Sequence, residues 1–106
     1  MNKGNFYTLY ISERAKNDYQ KIQRYTRDFY GKEQVLKYSA LIKHCFAKIT
    51  ENPMLGHTRP DIPQRYKAYN AGKHIIVYRI EEQMVYVVAI LHGSMDFQTN
   101  LTNNNK

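Results

Sequence analysis

Cysteine occurs once in this chain, as Cys45, and acids are scarce, with 9 Asp+Glu against 16 Lys+Arg. A single thiol excludes an internal disulfide, and its place in a helical apolar stripe makes Cys45 a buried core group rather than a redox centre. The shortage of acid leaves a net charge of +7, which calls for an anionic partner. Nucleic acid, an acidic protein and an acidic disordered segment all satisfy it, and composition does not choose among them. Long hydrophobic runs are missing too. The longest, Met84 to Leu91, is far short of the roughly 20 residues that cross a bilayer. Residues 1 to 12 lack the basic start and apolar stretch of a secretory leader, so the expectation is a cytoplasmic protein with no membrane contact. His44, His57, His74 and His92 are widely spaced, none with a second His or Cys at ligand spacing, so no metal is expected. There is no glycine-rich phosphate loop, and Ser12, Ser39 and Ser94 lie in no nucleophile-elbow sequence. Nucleotide-binding and hydrolase readings fall with them, and no cofactor is implied.

What is present is a patterned chain long enough for one domain and one core. Phe6-Tyr7-Thr8-Leu9-Tyr10-Ile11 is aromatic and β-branched and stops at Ser12, a good helix N-cap. Ala15, Tyr19, Ile22, Tyr25 or Thr26, and Phe29 then recur at helical steps, which predicts a first helix over about residues 13 to 29. Gly31 ends it. Lys32 reopens the pattern through Val35, Tyr38, Ile42, Cys45, Phe46 and Ile49, so the two helices form a hairpin that Pro53 must close. Beyond it the period shortens, with breaks at Gly72 and at Glu81-Glu82-Gln83, and three strands in a meander result. Val85 to Leu91 is apolar on both faces and belongs in the sheet centre. The expected fold is α+β, in the order β-α-α-β-β-β. A helical hairpin packs on one face of a four-stranded, mainly antiparallel sheet of order 2-3-4-1, with the first strand antiparallel to the second and fourth. Residues 1–97 form a single domain in this reading, and 98–106 a polar, frayed tail with little to bury.

Cations gather in the second half: Arg59 in the loop, Arg65 and Lys67 on the second strand, Lys73 and Arg79 on the third, and His92 at the end of the fourth. A sheet curling away from the helices would collect several of them on a concave basic face. Arg79 stands out, between Tyr78 and Ile80, where an unpaired charge is costly, and Asp61 and Asp96 are its candidate partners. The chain also holds 10 tyrosines. Most suit a core with the hydroxyl at the surface, and a second reading is an aromatic interaction surface.

One series of marks runs in order along residues 7 to 97. It comprises Tyr10-Ile11-Ser12 with Ala15 and Asp18, then Phe29-Tyr30-Gly31, then Asn52-Pro53 with Gly56, Arg59, Asp61 and Ile62. Ile76 with Tyr78-Arg79-Ile80 follows, and Ile90-Leu91-His92 with Asp96 closes it. Together they resemble the ParE branch of the RelE/ParE superfamily of small bacterial toxins. The resemblance implies the toxin of a type II toxin–antitoxin pair. Its partner would be an acidic, partly disordered antitoxin, with a folded DNA-binding end and a flexible segment that wraps the toxin. Many ParE members poison DNA gyrase, and so replication, without being enzymes. RelE-type relatives instead cleave messenger RNA on the ribosome, a chemistry that Arg59, Arg65, Arg79 and His92 would have to supply here. A binding module that has lost toxicity is a further alternative. Target contacts are expected from Arg59, Arg65, Lys67, Lys73, Arg79 and His92. The antitoxin is expected on the rim of the helical hairpin and the sheet edge, at Arg14, Lys16, Tyr19, Arg24 and Lys67. Direct nucleic-acid contact is a secondary expectation.

Overall fold

A computed structural model describes residues 7–93 of the chain. Strand β1 (Thr8–Ile11) leads into helix α1 (Glu13–Tyr30) and helix α2 (Lys32–Glu51), and a short 3-10 turn at Pro53–Leu55 follows. Strands β2 (Tyr66–Ala71), β3 (His74–Glu81) and β4 (Met84–His92) complete the order. No helix among the described residues is long and apolar enough to cross a membrane.

The helix boundaries follow from local chemistry. The Ser12 hydroxyl accepts the Ala15 N–H at 3.0 Å and donates to the Val88 carbonyl at 3.1 Å, so one side chain both starts α1 and ties it to the sheet. Gly31, at φ 91°, closes α1 through its N–H to the Arg27 carbonyl, in a region where other residues are strained. Asn52 ends α2, and its side chain accepts the Met54 N–H just before the turn that Pro53 begins.

The sheet order is β1-β4-β3-β2, which is the expected order read from the other edge. The orientation of β1 corrects the sequence reading: it lies parallel to β4, with Tyr10 opposite Tyr86 and Ile11 opposite Val87. The expectation assumed that the link from α2 to β2 has no length along the sheet. It does have length. His57 pairs antiparallel with Ala68 through N–H to O bonds of 3.0 and 2.8 Å, and the chain turns back where the Tyr66 N–H meets the Pro63 carbonyl. The link thus runs down the edge of β2 before β2 runs up, and that extra pass reverses the strand.

β4 occupies the centre as its apolar run requires, and both helices cover one face. The main core lies there. Ile42 and Ile49 of α2 and Ile22 of α1 meet Ile76, Tyr78, Val85 and Val87 of the sheet, each large apolar side chain contributing about 1.5 to 3 kcal/mol on burial. The opposite face is not the basic concave surface expected from the cations. Ala68, Ile75, Val77, Ala89 and Leu91 form a second, smaller core there, which Ile62 of the loop covers. A bulge at Val88, where the register passes from Val77–Ala89 to Tyr78–Val87, separates that cluster from the remainder of the face.

Candidate functional site

Beyond the bulge, the face turned away from the helices carries a row of one residue from each strand. Leu9 and Ile11 point into the main core, so Tyr10 points away from it, and the register sets Tyr10 beside Tyr86, Tyr86 beside Arg79, and Arg79 beside Tyr66. The Tyr10 and Tyr86 rings are 4.6 Å apart at 38°, and the Arg79 guanidinium lies 4.1 Å over Tyr86. Arg65 caps Tyr66 at 4.9 Å. Arg79 thus finds a partner among the described residues, as its apolar strand demands, and that partner is not the expected Asp61. Its partners are the Tyr86 ring and Glu81, at 3.5 Å, with a quarter of the side chain exposed. Asp61 instead binds Arg59 through two bonds, Nε to Oδ1 at 2.9 Å and Nη2 to Oδ2 at 3.1 Å. That pair lowers the Asp61 carboxyl and raises the Arg59 guanidinium. Asp96 lies outside the described residues, as does the tail 98–106.

At the other end of the sheet, α1, α2 and the β2–β3 turn enclose a cleft of about 770 Å³. Asp18 is its anchor. One carboxylate oxygen accepts the Ile90 N–H at 2.9 Å, and the Arg14 Nε donates to both oxygens at 3.0 and 2.9 Å. Across the cleft the Tyr38 hydroxyl sits 2.7 Å from His74 Nδ1 and 3.0 Å from the Ala71 carbonyl, and it accepts the Lys73 N–H at 2.9 Å. His74 meets His92 edge to face, with ring centres 5.3 Å apart.

The His74 imidazole is pushed down from 6.5 to about 4. Burial disfavours its charged form, and His92 and Lys73 add to this while Asp18 opposes it. Between these two values the unfolded chain binds a proton that the fold refuses, so stability is whole above pH 6.5, falls as pH drops toward 4, and levels off below. The expected loss between pH 7 and pH 5 is about 1 kcal/mol, below the full linkage value because the ring is only half-buried and solvent screens it. Urea unfolding at both pH values should show this loss shrinking in His74→Gln. An unchanged pH difference in that variant would remove His74 as its source.

The expected target residues therefore fall in separate places. Arg65 and Arg79 join the aromatic row, while Lys73 and His92 line the cleft. Arg59 stays with Asp61 in the loop, and Lys67, opposite Tyr78 in register, is on the helix side of β2. The expected antitoxin contacts divide too. Arg14 lines the cleft, Tyr19 packs against the main core, and Arg24 sits on the other flank of α1, in a shallow groove with Val35 and Leu36. Lys16, exposed one turn before Gln20, belongs to that second flank. Past the sheet the hairpin leaves Tyr25, Phe29, Tyr30 and Leu36 exposed.

Sequence reasoning missed Tyr10, Tyr66 and Tyr86 as a group, and Tyr38 with His74. The available signal was the alternation of strand tyrosines with core residues, as in Leu9-Tyr10-Ile11 and Val85-Tyr86-Val87. Among the described residues no group of three or more His, Cys, Asp or Glu could hold a metal ion.

The molecule with this fold and these surfaces has clear relatives. Toxin ParE1 of Mycobacterium tuberculosis is 30% identical over 92 residues, covering 86% of this chain and 94% of that protein. Toxin ParE1 of Caulobacter vibrioides is 29% identical over 91 residues, with the same coverage of 86% and 94%. Among solved structures, the chromosomal ParDE system from P. aeruginosa superposes with a TM-score of 0.73 at 16% identity, over 83% of this chain and 97% of that one. The RelBE2 toxin–antitoxin complex from Mycobacterium tuberculosis gives 0.62 at 18% identity, over 87% and 97%. At such identities the structures establish the fold alone. Residues 9–97 match the family described as the ParE toxin of type II toxin-antitoxin systems, parDE. A match across nearly the whole patterned chain, with two such relatives beside it, makes this protein a member of the ParE toxin family, the toxin half of a type II system.

Proposed function

We propose that this toxin acts on DNA gyrase and so on replication, in the cytoplasm, and that an acidic, partly disordered antitoxin neutralises it. The observation that carries the choice of target is the distance between the groups a ribonuclease would need. Arg79 is level with Tyr86 on β4, whereas His92 lies six residues further along the same strand, which is about 20 Å at strand spacing. A scissile phosphate held by Arg65 and Arg79 would be out of reach of a proton donor at His92, because general acid–base catalysis needs heavy atoms about 3 Å apart. Arg59 is held by Asp61 in addition. This supports stoichiometric poisoning over cleavage of ribosome-bound messenger RNA.

In this reading residues 1–97 act as one toxin domain. The target contacts come from Arg59, Arg65, Lys67, Lys73, Arg79 and His92 in separate patches rather than one. The antitoxin lays an amphipathic helix on the exposed Tyr25, Phe29, Tyr30 and Leu36, and its acids meet Arg14, Lys16, Arg24 and Lys67 on the flanks. Tyr19 contributes from beneath. A net charge of +7 favours such a partner by steering it.

The test is gyrase supercoiling of relaxed plasmid beside a ribosome-bound messenger RNA assay. The purified chain should block supercoiling or accumulate cleaved plasmid, its antitoxin should restore activity, and the messenger should stay intact. Messenger cut at ribosomal A sites by the wild type but not by His92→Ala would transfer the protein to the nuclease reading.

A further inference from the structure

We propose that the sheet face turned away from the helices is a platform for single-stranded DNA, with Tyr10 stacking a base and Arg79 and Arg65 holding backbone phosphates. The row Tyr10, Tyr86, Arg79, Tyr66 crosses all four strands at one level, a width of about 14 Å at the usual strand spacing. Aromatic rings interleaved with arginines are what a sequence-tolerant single-strand surface requires, because every base has a stacking face and every phosphate a charge. Here the pieces are already in place. Tyr86 is enclosed between Tyr10 at 4.6 Å and Arg79 at 4.1 Å, so little side-chain freedom remains to be lost on binding.

Tyr10 stands at one end of the row, and Arg65 caps Tyr66 at the other. Tyr10 is 45% exposed on the edge strand, and among the described residues no strand lies beyond β1. Its second ring face can therefore receive a base that extends the existing stack. Arg79 and Arg65 carry planar donor forks that fit phosphate oxygens. Among the described residues the acid in contact with the row is Glu81, exposed and 3.5 Å from the Arg79 guanidinium, so it competes with a phosphate for that guanidinium. A duplex hides its base faces and gains nothing from the Tyr10 ring, and the overall charge of +7 draws the strand in.

The experiment uses the whole chain and a fluorescein-labelled oligo-dT, read by anisotropy, with a DNA hairpin duplex and oligo-rU as parallel arms. At about 50 mM salt the oligo-dT should bind in the micromolar range. Tyr10→Ala should weaken it at least about fivefold, and Tyr10→Phe should restore it, since the ring and not the hydroxyl stacks. Arg65→Gln with Arg79→Gln should weaken it at least about tenfold and reduce the salt slope by about 1.4, two phosphate contacts at 0.7 each. Lys37→Gln with Lys43→Gln removes equal charge from α2 and should change binding less than about twofold. Glu81→Gln should tighten binding about two- to fivefold, whereas Glu33→Gln on α2 should not. Melting temperatures exclude unfolding as the cause, and the Tyr10 and Glu81 variants remain decisive if the arginine pair fails to fold.

Absence of oligo-dT binding at about 100 µM protein would overturn the proposal. So would equal losses from the α2 lysine pair, or equal affinity for the duplex. A tenfold preference for oligo-rU would assign the face to RNA, and loss of gyrase binding in Tyr10→Ala with unchanged oligo-dT binding would assign it to a protein contact. Either outcome overturns the DNA assignment. Because the oligo-dT measurement contains no gyrase, its result is independent of the gyrase reading.

Discussion

Gly56→Ala should lower stability by about 3 to 5 kcal/mol, although Gly56 has an ordinary extended backbone that alanine adopts without strain. The cause is contact. A Cβ on Gly56 would overlap the Tyr78 hydroxyl and come within 2.9 Å of two ring carbons. Tyr78 cannot retreat, being fully buried in the main core. Its hydroxyl also accepts the Gly56 N–H at 2.9 Å and donates to the Pro53 carbonyl at 2.6 Å, locking the loop onto β3. The substitution adds an overpacking cost of about 1 to 3 kcal/mol and loosens two buried hydrogen bonds whose orphaned groups cost about 1 to 3 kcal/mol each. A shift of more than about 12 °C in melting temperature follows for a domain of this size. A double-mutant cycle with Tyr78→Phe tests the contact directly. The double variant should lose at least about 0.5 kcal/mol less than the two single losses added. Strict additivity would mean that the loop and the ring do not touch.

Asp18→Ala should cost about 2 to 3 kcal/mol, through a backbone group rather than through its ion pair. β1 stops at Ile11, and the Ser12 N–H takes the Val87 carbonyl, so beyond that point no strand among the described residues lies on the outer side of β4. The Ile90 N–H would be left pointing at nothing in a residue only 3% exposed. The Asp18 carboxylate fills that gap at 2.9 Å and binds Arg14 as well. Removal leaves a buried donor unsatisfied and a charge-assisted bond lost. Asp18→Asn keeps an acceptor and should recover at least about 1 kcal/mol of the loss. Arg14→Ala removes only the partly exposed partner and should cost less than about 1 kcal/mol. Denaturant midpoints of the three variants decide the matter. Equal losses for Asp18→Ala and Arg14→Ala would make the ion pair, and not the strand end, the source.

These two positions show where reading residues in order reaches its limit. Asp18 and Gly56 both stood in the series of marks that resembled ParE, yet nothing near them in sequence says why. Asp18 answers to Ile90, 72 residues away, and Gly56 to Tyr78, 22 residues away. The same holds for the site. Arg65 and Arg79 were legible as candidate contacts because a cation in an apolar strand needs a partner. That the partner would be Tyr86, with Tyr10 behind it, depended on the registers of β3 with β4 and of β4 with β1.

Local periodicity determined the element order, the helical hairpin with its breaks at Gly31 and Pro53, and the central place of β4. Each of those follows from residues within a turn or two of one another, where spacing and capping act directly. Composition determined the charge, and the ordered marks determined the family. Only the tertiary structure decided that β1 runs parallel to β4, because the direction of β2 was set by a loop that doubles back along its edge at His57. It alone divided the expected cations among the aromatic row, the cleft, the loop and the helix side of β2, and replaced an expected basic face with a small core under Ile62. Strand direction and register are set by contacts between distant segments, and a one-residue shift in pairing turns every side chain of a strand to the other face.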